Sequence, residues 1–383
     1  MKIFYLYTGL ITKGGADRVL TIKANWLARH GYDVSFVTDS QMDIPPVFPL
    51  DPKVRLIDLG LDFMQQYKYG IVKRTFIYFR LMRQYRRKIT LLLNSEKPDF
   101  VMTTLGREMD FLTDIHDGSI KIGESHIARK FSRNFHLMEE RGGFYRIVAK
   151  YWRHKQAEAV KKLDILVLLT SMDEACWKTT TGKTCVIPNP LTISSPTTSA
   201  LDKKRVIAVG RLNEQKGYEY LIEAWLSVTK KHPDWCLDIF GEGELKDDIQ
   251  NRIDNLGLKA TVRLRGVADD VRAENANSSM LVLSSRYEGF GLVLVEAMSC
   301  GVPCVAFDCP YGPRDIVRNE EDGILVQHLD VEGLAEGMCR LMEDEALRKS
   351  MGQNALHNVS RFSVDNVMQK WVELFCNMKL ERT

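Results

Sequence analysis

Two carboxylates and two cations carry the chemistry that this sequence can do. Glu288 and Glu296 stand eight residues apart and enclose Gly289-Phe290-Gly291, while Arg211 and Lys216 stand five apart between Gly210 and Gly217. Glycines let a backbone approach a ligand that a Cβ would exclude. A helix predicted to start near Leu292 offers unpaired N–H groups and the positive end of its dipole to a diphosphate. Eight residues of helix rise about 12 Å at most, roughly the span from the sugar of a nucleotide-sugar to its ribose. One carboxylate therefore suits sugar hydroxyls and the other ribose hydroxyls, while Arg211 and Lys216 can reach one diphosphate from two directions. Each group taken alone also fits an ordinary solvated helix face or surface turn.

The flanking residues predict the elements that would position these groups. Met280–Leu283 is short, apolar and bounded by serines, as in a parallel strand covered on both faces, and Gly301-Val302-Pro303 closes the helix after it. Arg205–Val209 reads as a strand leading through the Arg211 loop into a helix over 218–228, with more strands at 237–240 and 262–264. Gly241-x-Gly243 lacks the third glycine of a dinucleotide fingerprint, which disfavours NAD. Upstream, Lys2–Tyr7 reads as a strand, Gly14-Gly15 as a turn, 19–28 as a helix and 34–38 as the next strand; others are expected at 100–104, 121–123, 165–169 and 185–187. Pro188-Asn189-Pro190 stops regular structure. The expected fold class is α/β, with two Rossmann-like doubly wound domains over 1–190 and 191–364.

Glu288-x7-Glu296, with its internal Gly-Phe-Gly, resembles the signature of retaining glycosyltransferases of family 4, which have the two-domain GT-B fold. Nearly the whole chain shares the resemblance. Gly210-Arg211-Leu212-x3-Lys216-Gly217 is similar to that family's phosphate-binding loop. Gly14-Gly15-Ala16-Asp17-Arg18 resembles its Gly-Gly-Ala-Glu-Arg turn, with Asp17 in place of the usual Glu, although a double glycine also fits a plain turn. His126, after Gly123-Glu124-Ser125, resembles a histidine that faces the transferred sugar, the alternative being a satisfied structural histidine.

The resemblance implies domains facing each other across a cleft, the first binding the acceptor and the second the donor, with a C-terminal helix (365–383) crossing back onto the first. It implies a catalytic set of Arg211, Lys216, Glu288 and His126, and donor contacts from Gly14, Gly15, Gly210, Phe290, Gly291, Leu292 and Glu296. No cofactor or metal is expected beyond the donor. The chain has no Asp-x-Asp metal motif, two cations can neutralise the leaving diphosphate, and no residue is placed as a nucleophile. Cys309-Pro310-Tyr311-Gly312-Pro313-Arg314-Asp315 replaces the family's Gly-Gly-x-x-Glu turn with a variant seen in bacterial surface-polysaccharide and lipid-linked oligosaccharide assembly. That implies a UDP-linked hexose or N-acetylhexosamine donor and a glycan or lipid-linked acceptor. Rival readings are a nucleotide-sugar epimerase or phosphorylase on the same fold and a basic nucleic-acid-binding module; no nucleic-acid motif accompanies the charge.

The 383 residues suit two domains, and 45% hydrophobic with 27% charged content describes a globular protein. With no signal-peptide pattern and no membrane-length apolar run, a cytoplasmic location is expected, and the eight cysteines read as buried thiols rather than a disulfide or zinc framework. Residues 1–190 carry 30 Lys and Arg against 20 Asp and Glu, or +10, which leaves −7 for the remainder of a chain whose net charge is +3. Between Phe63 and Ser95 there are eight basic residues and no acidic one. Ile71, Tyr78, Met82, Tyr85 and Ile89 form one helical stripe there, opposite Lys73, Arg80, Arg83 and Arg87. That stripe suits either an anionic bilayer or a sheet beneath it.

Overall fold

Apolar runs of four to six residues alternate with longer amphipathic segments, and each alternation becomes a strand followed by a helix. The computed structural model describes residues 1–193 and 197–382, without the side chains of residues 133, 134 and 144. The chain divides into two compact units. The first comprises Met1–Leu169, Asp173–Ile187 and the chain from Met368 onward, and the second Thr170–Met172 and Pro188–Val367.

In the first unit, β1 (Lys2–Tyr7), β2 (Asp33–Thr38), β3 (Arg55–Asp58), β4 (Phe100–Thr103), β5 (Ile120–Ser125), β6 (Ile165–Leu168) and β7 (Thr184–Val186) form one parallel sheet in the order 3-2-1-4-5-6-7. The second unit has β8 (Arg205–Val209), β9 (Cys236–Phe240), β10 (Val262–Gly266), β11 (Met280–Leu283), β12 (Cys304–Phe307) and β13 (Gly323–Val326), parallel in the order 10-9-8-11-12-13. Strand order reverses between β1 and β4 in one sheet and between β8 and β11 in the other. Both units are thus Rossmann-like and doubly wound, as the resemblance implies. β4, β11 and β12 are buried at every position, the signature of strands covered on both faces.

The structure departs from the sequence reading in several places. The first helix, Gly15–Arg29, begins four residues earlier than expected, with Gly14 extended as its N-cap and Asp17 in its first turn. β3 was not anticipated: it is a half-exposed edge strand of four residues with no apolar run. The helices Val331–Glu343 and Glu345–Asn358 were also not anticipated, although Asp330 and Asp344 cap them by accepting from Gly333 N and Leu347 N at 2.9 and 2.8 Å. Cys300, Cys304, Cys309 and Cys339 are buried thiols, but Cys376 is exposed.

The basic tract splits into a 3-10 turn, Phe63–Lys68, and a helix, Ile71–Glu96. Tyr85 and Ile89 join Leu81 and Leu93 in the core of the first unit, with Tyr78 and Met82 packed at its edge. The stripe therefore lies on the sheet, and only its first member, Ile71, is exposed. A different face carries the uncovered apolar groups, with Val72 86%, Phe76 70% and Phe79 66% exposed. The last helix, Val364–Leu380, brings the Phe375 ring to 4.7 Å from Phe100 in the first unit. It was expected to run to residue 383, which lies outside the described residues.

Candidate functional site

β8 and β11 are direct neighbours, Met280 opposite Val206 and Leu281 opposite Ile207, so the loops that leave their carboxyl ends emerge side by side. Such a switch point is where open α/β sheets bind ligands. The β8 loop carries Gly210, Arg211 and Lys216; the β11 loop carries Ser285 and Glu288. Lys216 Nζ meets Glu288 Oε1 at 2.7 Å, and Ser285 Oγ donates to the same oxygen at 2.6 Å. Glu288 is buried, held by these two donors, whereas Arg211 is exposed and makes no ion pair among the described residues.

Two neighbouring turns brace these loops by backbone contact. Gly241, at φ +147°, lies so close to the Arg211 loop that a Cβ would stand 1.8 Å from Gly210 O. The ladder continues there, Gly210 N donating to Phe240 O and Leu212 N to Glu242 O, each at 2.9 Å. Gly312, at φ +118°, does the same for the carboxylate loop: its Cβ would stand 1.9 Å from Phe290 O, and Glu288 N donates to Pro310 O at 3.1 Å. The sequence reading took Gly241 for a strand exit and missed both braces. For Gly241 the available signal was a glycine directly after a strand, where a backbone often approaches closely.

The remaining residues expected to meet the donor in the second unit lie at or after the same turn. Gly291 is the left-handed N-cap of the helix Leu292–Ser299. Phe290 puts its ring inside, edge-on to Phe362 at 5.7 Å, so its backbone is what it can offer a ligand; Leu292 is half-buried. Glu296 is buried in that helix and accepts a short hydrogen bond from Thr192 Oγ1.

In the first unit Gly14 and Gly15 are exposed at the helix start after β1. Asp17 accepts from Tyr7 OH at 2.6 Å and from Thr12 N at 2.9 Å, which ties this turn to β1; the shorter carboxylate serves the loop itself. His126 follows β5, with Nε2 3.3 Å from Glu124 Oε1, and Glu124 pairs with the buried Lys23 at 2.5 Å. Burial disfavours the Glu124 anion, but Lys23 and His126 outweigh it and hold the carboxyl down at about 2. Asp39, just past β2, pairs with Arg107 at 3.0 Å. Burial pushes its carboxyl up to about 7, with Arg107 opposing and Glu108 adding to the rise.

Sequence reasoning did not find Lys23, Glu124 or Asp39 as a group. The signal for Lys23 was its place between Val19 and Leu27 on the buried face of its helix. Among the described residues one trio could hold a metal ion: His232, Cys339 and Glu343. It lies at the C-terminal ends of the helices Tyr218–Lys231 and Val331–Glu343, and helices of a parallel sheet end at the edge opposite the loops of Lys216 and Glu288. Two open surface cavities, one beside Asp248 and Arg252 and one beside Asp99 and Lys379, do not include Arg211, Lys216, Glu288 or His126.

Two doubly wound sheets, one with a cation loop and a carboxylate loop joined at its switch point, define a two-unit Rossmann-like α/β protein. Residues 192–358, within the second unit, match the family described as "Glycosyl transferases group 1". The chain is 38% identical over 225 residues to an exopolysaccharide phosphotransferase of Streptomyces coelicolor, covering 57% of this chain and 24% of that protein; it spans about a quarter of that relative's length. It is 25% identical to the amylovoran biosynthesis glycosyltransferase AmsD of Erwinia amylovora, over 97% of this chain and 99% of that one. Its fold is shared with a mutant of S. aureus TarM crystallised with Fondaparinux, alpha-GlcNAc-glycerol and UDP, at a TM-score of 0.78 and 17% identity, covering 98% of this chain and 99% of that one.

Proposed function

We propose that the protein transfers a hexose or N-acetylhexosamine from a UDP-linked donor to a hydroxyl of a glycan or lipid-linked acceptor, in cell-surface polysaccharide assembly. Transfer retains the anomeric configuration and needs no metal ion, as in the family 4 enzymes that the motifs resemble. The observation that carries this reading is the Lys216–Glu288 pair at 2.7 Å on loops from two paired strands, with exposed Arg211 on the same loop as Lys216. As the sugar leaves, charge collects on the β-phosphate of the departing diphosphate. Arg211, Lys216 and the N–H groups at Leu292 stabilise it. Glu288 positions Lys216 and meets sugar hydroxyls, Glu296 exchanges Thr192 for a ribose hydroxyl, and His126 meets the transferred sugar. The UDP bound to TarM and the polysaccharide assigned to AmsD support this choice of donor and product. An epimerase would not need an acceptor loop or this cation pair.

The acceptor is held at an anionic membrane surface on the cytoplasmic side. Val72, Phe76 and Phe79 repeat at i, i+4 and i+7 on an exposed helix face among Lys73, Arg80, Arg83 and Arg87. Apolar groups ringed by cations suit an anionic lipid interface. Among the described residues no helix is long and apolar enough to cross a membrane. The test is incubation with a panel of UDP-sugars and undecaprenyl-linked or soluble glycans in EDTA, with NMR of the new anomeric proton. Acceptor-dependent UDP release with retained configuration is expected. Donor interconversion without release, or inversion at the anomeric carbon, would sink the reading.

A further inference from the structure

β5 carries a carboxylate into a dry part of the first unit. Glu124 and Lys23 are both buried and meet at 2.5 Å. Lys23 Nζ also lies 3.8 Å from the centroid of the Trp371 ring, so the ammonium has an anion on one side and an aromatic ring on another. Buried charges persist when paired in this way. The Glu124 oxygen that accepts from Lys23 faces His126 Nε2 at 3.3 Å. Nε2 and the other Glu124 oxygen are buried and have no hydrogen-bond partner among the described residues. A small turn of the ring would aim an Nε2–H at the carboxylate.

We propose that Glu124, fixed by Lys23, is a positioning residue for His126: it holds the imidazole proton on Nε2 and leaves Nδ1 as the nitrogen presented to the sugar, a role that rests on the functional reading above. Which nitrogen of a histidine carries the proton is set by the hydrogen bond that the other makes possible. A neutral ring fixed in this tautomer accepts at Nδ1 from a sugar hydroxyl, and the imidazolium donates there. Lys23 supplies the countercharge that keeps Glu124 an anion without solvent. Trp371 covers Lys23, so part of the orientation of His126 depends on the last helix of the chain.

The tautomer is read by nitrogen-15 NMR of histidine-labelled protein at about pH 8.5, where an ordinary imidazole is neutral. The His126 signal is assigned by its loss in His126→Gln. Wild type is expected to be protonated at Nε2; a ring protonated at Nδ1 overturns the proposal by itself. E124Q alone strands the Lys23 ammonium and is expected to melt early, so the deciding variant is K23M/E124Q, which removes both charges. Its fold is checked by circular dichroism and UDP binding. The His126 signal in this variant should move to a mixture of tautomers, with kcat about tenfold lower and donor KM within about threefold of wild type. Return of the wild-type tautomer in E124D supports the carboxylate's role, and an unchanged tautomer and kcat in folded K23M/E124Q overturns it. If wild type turns over no nucleotide-sugar, the functional reading fails, yet the tautomer result still stands or falls independently.

Discussion

The two units share one topology and use it differently. In the second, the loops at the switch point are fixed by backbone contacts that only glycine permits at Gly241 and Gly312, and an ion pair joins them. In the first, the Gly14 turn is exposed and secured mainly through Asp17, while a helix face of Val72, Phe76 and Phe79 stands bare among cations. One unit therefore presents a braced charge pattern at its switch point, and the other leaves an apolar helix face uncovered. A doubly wound sheet leaves that choice to its loops and outer helices, because the strands are occupied with the core.

The largest expected effect separates the units. Each Lys or Arg close to an anionic leaflet contributes about 1 kcal/mol, so replacing Lys73, Arg80, Arg83 and Arg87 by Gln should weaken binding to phosphatidylglycerol vesicles by about 10³-fold. Sedimentation should be lost and UDP affinity kept. Wild type should be released by salt. A wild type that ignores such vesicles at low salt removes the membrane role.

Next, Arg211→Ala and Lys216→Ala should each lower turnover by about 10²-fold or more without altering vesicle binding; near wild-type rates in both would remove the diphosphate assignment. Gly312→Ala forces a Cβ against Phe290 O and should weaken UDP about tenfold and lower Tm by several degrees. Gly14→Ala, whose Cβ would meet only Thr12 Oγ1 at 3.1 Å, should change Tm little. Equal effects of the two alanines would contradict the contrast between braced and open loops.

The smallest effect is on pH. Asp39 has its folded carboxyl raised to about 7, so the stability it contributes is present below the ordinary carboxylate range and is lost as pH rises through about 7. Asp39→Asn cannot ionise. Its Tm relative to wild type should therefore climb by a few degrees between about pH 5 and pH 8. A flat difference in Tm would mean that Arg107 fully offsets burial.

Legibility in the sequence followed burial. β8 and β11 lie at the residues predicted for them, because strands covered on both faces must be apolar throughout. β3, at an edge and half exposed, left no such trace. Motif residues were visible singly, but Lys216 and Glu288 are 72 positions apart and Lys23 and Glu124 are 101 apart. Their meeting depends on which strands pair, a property of tertiary packing. The apolar stripe of the Ile71–Glu96 helix was visible as well. Periodicity alone did not say whether a sheet or a bilayer covers it, and Tyr85 and Ile89 settle that for the sheet.

Trp371 and Phe375 complete the surroundings of Lys23 and Phe100, residues made far earlier in synthesis. At about 5–20 residues per second, Trp371 leaves the ribosome roughly 20–70 s after Lys23. During that interval the nascent first unit has strands that can pair but an ammonium without its aromatic cover and a bare Phe100. These contacts are added only after the second unit has been translated. Closure of the first unit's core therefore follows translation of the second unit.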